Sequence, residues 1–227
     1  MREIVLDTET TGLNPDEGHR IVEIGAVELK NHLPTGQTYH QYINPQRDMP
    51  TEAFNVHGIS DDYLRDKPIF TDIAQAFLDF VGSAKLVIHN AAFDMRFLNA
   101  ELSWVNKPQL PMSQAVDTLE IARRRFPGAQ NSLDALCRRF NVDNSAREKH
   151  GALLDSEILA EVYLELVGGR QPDFTLSVVS GSSMPGQDAS DYQPPQRPTA
   201  LRPRLTDDER TAHAEFLKTL KGETLWS

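Results

Sequence analysis

The chain has 227 residues with 33 acidic against 23 basic side chains, a formal net charge of −10. That balance excludes a protein holding nucleic acid mainly by phosphate neutralisation, and the lone Cys137 excludes an internal disulfide. No run approaches the length of a membrane span, and Asp7 comes too early for a secretory leader, so the chain is expected to be soluble and cytoplasmic, with no membrane partner. Residues 3–10, 21–30 and 37–44 read as three strands on short links, an antiparallel meander. Ile73, Ala76, Phe77 and Phe80 have helical spacing up to Gly82. Leu86-Val87-Ile88 is a short buried strand leading into a helix from Ala92, and Ala115-Val116 is another short strand. Ser132 caps a helix carrying Leu133, Leu136 and Phe140, and a long helix runs from about Gly151 to Val167. An antiparallel start followed by β-α units predicts an α/β fold with a mixed sheet flanked by helices.

The composition shifts at residue 171. Between Pro172 and Pro203 the chain is dense in Pro, Gly and Ser, with only Phe174 and Tyr192 as aromatics, too few to bury for a core. Three parts are therefore expected: a domain over 1–170, a flexible linker over 171–205 and a tail over 206–227. In the tail Thr206 and Glu209 form a capping box before a helix with His213, Phe216, Leu217 and Leu220 on one face.

Four carboxylates carry the chemistry. Asp7 and Glu9 alternate along a strand, so both point the same way about 7 Å apart, although a bare Asp-x-Glu also suits a strand end facing water. An EF-hand loop is ruled out by Thr11, by Gly18 and by the preceding strand. Asp94 stands where a buried strand hands over to a helix, the usual place for ligands in α/β sheets, or serves only the helix dipole. Asp155 shares a helix face with Leu159, Val162 and Leu166, so it is expected to be buried and to need a divalent metal or an Arg beside it. His150 lies five residues earlier across Gly151, which favours a mobile acid or base over a fixed ligand, with a surface His or helix cap as the plain alternative. Four carboxylates without a Cys or His cluster call for Mg²⁺ or Mn²⁺, and with a nearby His they suit hydrolysis at phosphorus.

In order and spacing, Asp7-x-Glu9, Asn90-x-x-Phe93-Asp94 and His150-x-x-x-x-Asp155 resemble the three motifs of the DEDDh exonuclease superfamily. Residues 4–12, Val56-His57-Gly58-Ile59, residues 131–137 and Leu159-Ala160-Glu161-Val162-Tyr163 are similar to the family of proofreading (epsilon) subunits of bacterial DNA polymerase III. The resemblance covers residues 1–170, and the tail only in layout. It implies a ribonuclease H-like, five-stranded mixed sheet and a two-metal 3′-5′ exonuclease that releases 5′-monophosphates from a DNA 3′ end. Asp7, Glu9, Asp94 and Asp155 would hold two Mg²⁺ or Mn²⁺, with His150 as general base. Asp7, Thr8, Glu9, Glu52, His57 and Asp155 would touch the terminal nucleotide. The implied partners are the DNA polymerase III catalytic subunit through Phe216, Leu217, Leu220 and Trp226, a sliding clamp through Gln171, Phe174 and Leu176, and a small accessory subunit. The order of Phe and Leu in that clamp segment departs from the usual pattern. A stand-alone exonuclease for RNA or repair DNA, and a non-catalytic scaffold, are the alternative readings. Arg123, Arg124 and Arg125 read as a solvated helix end.

Overall fold

The computed structural model describes residues 1–145, 147, 149–168 and 206–219. Strand β1 (Arg2–Thr10) is apolar toward both sides, with Ile4, Val5 and Leu6 fully buried, as a central strand must be. β2 (Ile21–Lys30) runs antiparallel to it, setting Asp7 opposite Gly25 and Glu9 opposite Glu23. β3 (Leu33–Tyr42) pairs antiparallel with β2 at the sheet edge. This third strand starts four residues earlier and ends two residues earlier than the 37–44 read from the sequence. Asn31 and His32 both take left-handed φ, 53° and 66°, which makes a two-residue hairpin turn and leaves no room for a loop. Pro34 lies within the strand and is tolerated because the edge strand has one unpaired side.

Three helices follow: α1 (Thr51–His57), α2 (Asp61–Leu64) and α3 (Phe70–Val81). Then come β4 (Lys85–Ile88), α4 (Ala91–Trp104), β5 (Ala115–Asp117), α5 (Thr118–Arg125), α6 (Leu133–Phe140) and α7 (Ala152–Leu166). β4 is parallel to both β1 and β5, so the sheet order is β3-β2-β1-β4-β5, the expected five-stranded mixed sheet. The even residues of β1, Ile4 and Leu6, pack against α3 and α4 through Phe70, Phe77, Phe97 and Leu98. Each such buried aromatic contributes about 2–3 kcal/mol by leaving water. On the other side Val5, Val27 and Val87 meet Leu159 and Tyr163 of α7, whose outer side is covered by Ala122 of α5 and Leu136 of α6.

Two contacts pin α7 to the sheet. The Tyr163 hydroxyl donates to buried Glu3 at 2.8 Å, and the Ser156 hydroxyl donates to the Gly25 carbonyl at 2.9 Å. At Gly25 the two backbones touch: a Cβ there would lie 2.1 Å from the Ala152 carbonyl carbon and the Leu153 nitrogen. Because Gly25 is the partner of Asp7, this close approach sets the start of α7 beside the end of β1.

The chain divides into two units, Met1–Leu176 and Ser177–Ser227. Of the second, the described part is α8 (Asp207–Thr219) with its cap. The expected capping box is present: the Glu209 carboxylate accepts from the Thr206 N–H at 2.8 Å, and the Thr206 hydroxyl accepts from the Glu209 N–H at 3.3 Å. Phe216 is 60% exposed and Leu217 half-buried. Gln171, Phe174, Leu176, Leu220 and Trp226, and the linker expected over 171–205, lie outside the described residues. Among the described residues no helix is long and apolar enough to cross a membrane.

Candidate active site

The site forms where β1 ends. Its odd residues face α7, so beyond Val5 the carboxylates of Asp7 and Glu9 are carried toward the first turn of that helix. Thr8 faces the opposite layer and there meets Asp94, in the first turn of α4. The Asp94 Oδ1 accepts both the Thr8 backbone N–H at 3.1 Å and the Thr8 hydroxyl at 2.7 Å. Asn90, just before that helix, adopts a left-handed φ of 69°, which Asn tolerates, and this turns the chain from β4 into α4. Strand alternation thus draws carboxylates from both helical layers to one sheet end.

Asp155 lies on the buried face of α7 at 3% exposure, as its helical spacing predicts, and its partner is an arginine. Arg147 Nε and Nη2 donate to its two oxygens at 2.5 and 2.7 Å, a bidentate fork. The same guanidinium donates to Asp134 at 2.8 Å, and its Nη2 lies 2.8 Å from His150 Nδ1. His150 is exposed, with Nδ1 3.4 Å from Asp155 Oδ2. Ligand atoms of Glu9, His150 and Asp155 all lie within 4.8 Å of one another, a group able to hold a metal ion.

The carboxylates divide by electrostatics. Burial would raise the Asp155 pKa, but His150 and Arg147 outweigh it and hold the group below the usual range. Glu9 is pushed from 4.5 to about 8, first by burial and then by the charges of Asp155, Glu23 and Asp94. Asp94 rises from 3.8 to about 7 because of burial, against the pull of its Thr8 hydrogen bonds. Asp7 is raised as well, by burial and then by Asp94, Glu9 and Asp155. Crowded oxygen ligands that resist ionisation by themselves match a hard divalent cation, which would let them ionise together.

Two cavities flank the carboxylates. One, of about 480 Å³, is lined by Thr8, Glu9, Glu52 and His57 together with apolar Val56 and Phe93. Glu52 is exposed there, and the Thr8 N–H is already committed to Asp94. His57 is buried; its Nδ1 accepts the Ile59 N–H at 3.0 Å, which leaves the proton of the neutral ring on Nε2, an atom without a hydrogen-bond partner among the described residues. Burial keeps this ring's pKa below its usual value. The other cavity, of about 700 Å³, is lined by Asp7, Asp155, His150, Arg147 and Arg123. Sequence reasoning missed Arg147, Asp134 and Glu23. The demand of a buried Asp155 for a cation was a signal for the first, but nothing local selects Arg147 over other arginines. Glu23 faces Glu9 across the β1–β2 ladder and is held by His40 Nε2 at 2.7 Å.

The chain is similar to known nucleases. The exonuclease (RNase_T) family matches residues 4–163. The chain is 50% identical over 226 residues to the DNA polymerase III subunit epsilon of Rickettsia felis, covering 97% of each. It is 45% identical over 237 aligned positions to the protein of that name from Escherichia coli K12, covering 99% of this chain and 97% of the other. Among solved structures, exonuclease X in complex with 5′ overhanging duplex DNA matches with a TM-score of 0.57 and 27% identity, covering 72% of this chain and 90% of that one. The nuclease domain of 3′hExo, a DEDDh family member bound to rAMP, shares the fold with a TM-score of 0.64 at 20% identity, over 73% of this chain and 91% of that one.

Proposed function

Since the chain belongs to the exonuclease family, among the epsilon subunits of DNA polymerase III, we propose that it removes mispaired nucleotides from a DNA 3′ end as 5′-monophosphates, proofreading for the replicative polymerase. The observation that carries this reading is the convergence of Glu9, His150 and Asp155 within 4.8 Å beside Asp7 in an open cleft. The oxygen-rich donor set suits hard divalent cations, and Asp7, Glu9, Asp94 and Asp155 would hold two Mg²⁺ or Mn²⁺. Such ions would supply charge neutralisation at the phosphate and a more acidic water. His150 takes the proton of the attacking water as its oxygen bonds to phosphorus, the bond from phosphorus to the 3′ oxygen breaks, and that oxygen takes up a proton. Asp7, Thr8, Glu9, Glu52, His57 and Asp155 position the terminal nucleotide, its base and sugar in the 480 Å³ cavity.

The acidic chain leaves retention of DNA to its partners. Tethering by the tail replaces intrinsic affinity with effective concentration. The exposed Phe216 and half-buried Leu217 of α8, with Leu220 and Trp226, bind the polymerase catalytic subunit. Gln171, Phe174 and Leu176 form a candidate clamp contact, and a small accessory subunit completes the complex in the cytoplasmic replication machinery. The test is a digest of 5′-labelled single-stranded DNA ending in a free or mismatched 3′ end, with Mg²⁺ or with EDTA. A ladder that shortens from the 3′ end only with metal, and falls more than about 1,000-fold in Asp7→Ala and steeply in His150→Ala, is expected. Full activity of Asp7→Ala sinks the reading, and a ladder on RNA alone turns it to an RNA-trimming enzyme.

A further inference from the structure

The two cavities beside the carboxylates differ in a way that assigns the direction of the strand. The 480 Å³ cavity has apolar Leu13, Val56 and Phe93 in its wall and neither Lys nor Arg, which suits one base and sugar. The 700 Å³ cavity runs from Asp7, Asp155 and His150 to Arg123 and the exposed Ser132 at the start of α6. Its two arginines are unlike. Arg147 is committed to Asp155, Asp134 and His150. Arg123 lies in the last turn of α5 and is exposed, and its side chain makes no ion pair or hydrogen bond among the described residues. Its neighbours are engaged: Arg124 lies 3.4 Å from Glu120, and Arg125 donates to the Glu165 and Leu166 carbonyls at 2.7 and 2.8 Å. The three arginines that read alike in sequence are thus separated by the fold, and one stands in the wall of the active-site cavity with no partner among the described residues.

We propose that this cavity is the channel for the strand on the 5′ side of the cleaved bond, and that Arg123 grips a backbone phosphate there; this rests on the nuclease reading above. A scissile phosphate held at the carboxylates must have its terminal nucleoside on one side and the rest of the strand on the other. The cation-lined side is the one that suits further phosphates. In a chain of net charge −10 such a placed cation does what overall charge cannot.

The test compares a 5′-labelled single-stranded oligonucleotide with the p-nitrophenyl ester of thymidine 5′-monophosphate, whose cleaved phosphate carries a p-nitrophenyl group in place of the rest of the strand, using the full chain. In Arg123→Ala the ratio of oligonucleotide to ester kcat/KM is expected to fall about five- to twentyfold, through KM. The slope of log KM against log salt should shrink by about 0.7, the share of one single-strand phosphate. Arg123→Lys, which keeps the charge, should restore most of that slope. An unchanged ratio and slope, or equal losses on both substrates, would overturn the proposal. Wild type that cleaves neither substrate overturns the nuclease reading itself, and this inference with it.

Discussion

The two sides of the carboxylate cluster are buried alike yet charged differently. On the helical side Asp155, 3% exposed, lies under the Arg147 fork and stays ionised. On the strand side Glu9, 8% exposed, and Asp94, 3% exposed, form no ion pair among the described residues, and both are pushed toward neutrality. Burial raises the pKa of all of these groups, and the nearest cation decides which of them stays ionised. One half of the site carries its own counter-charge, and the other half has none within ion-pairing distance among the described residues.

Removing the built-in cation should produce the largest change. Arg147→Ala strips Asp155 of its fork and leaves a buried carboxylate unpaired, a loss of about 3–5 kcal/mol. At about 2–4 °C per kcal/mol, this should appear in metal-free thermal melts as a fall of about 6–20 °C. Asp155→Asn on the same background should recover part of it, and purely additive losses would show that the pair does not act as a unit.

Moving the helix off the strand should cost somewhat less. Gly25→Ala inserts a methyl 2.1 Å from the backbone of α7, which must retreat from Asp7. Overpacking there should cost about 3 kcal/mol. Activity should fall further than stability, because Asp155 and His150 would move away from Glu9 together. A variant that melts lower but cleaves at the wild-type rate at low temperature would separate the packing from the site.

pH tests the strand side of the comparison. Glu9, at about 8, and Asp94, at about 7, lie above their usual 4.5 and 3.8, so the metal-free folded chain binds more protons than the unfolded one between about pH 4 and 8. These two groups make stability fall as pH rises through that window. Asp155, held low, has the opposite sign: its contribution is present above its unfolded pKa and is lost only in acid. Metal-free melts should therefore decline from pH 5 to pH 8, and saturating Mg²⁺ should raise the melting temperature more at pH 8 than at pH 5. Equal Mg²⁺ shifts at both values would place the cation elsewhere.

The expectations divide along physical lines. Strands 1 and 2, the Ser132 cap, the buried face of α7 and the Thr206–Glu209 box are decided by neighbours within a few residues, through alternation, helical period and side-chain caps. They were legible, as was the need of Asp155 for a cation, because desolvation follows from its spacing alone. The start of β3 was hidden because Asn31-His32 is an unusual hairpin pair and because edge position, which excuses Pro34, belongs to the whole sheet. The identity of the Asp155 cation, the contact of Gly25 with α7 and the difference between Arg123 and its two neighbours lay beyond any local pattern. Each depends on which groups the folded chain brings within a few ångströms, and that distance is decided by packing, not by spacing in sequence.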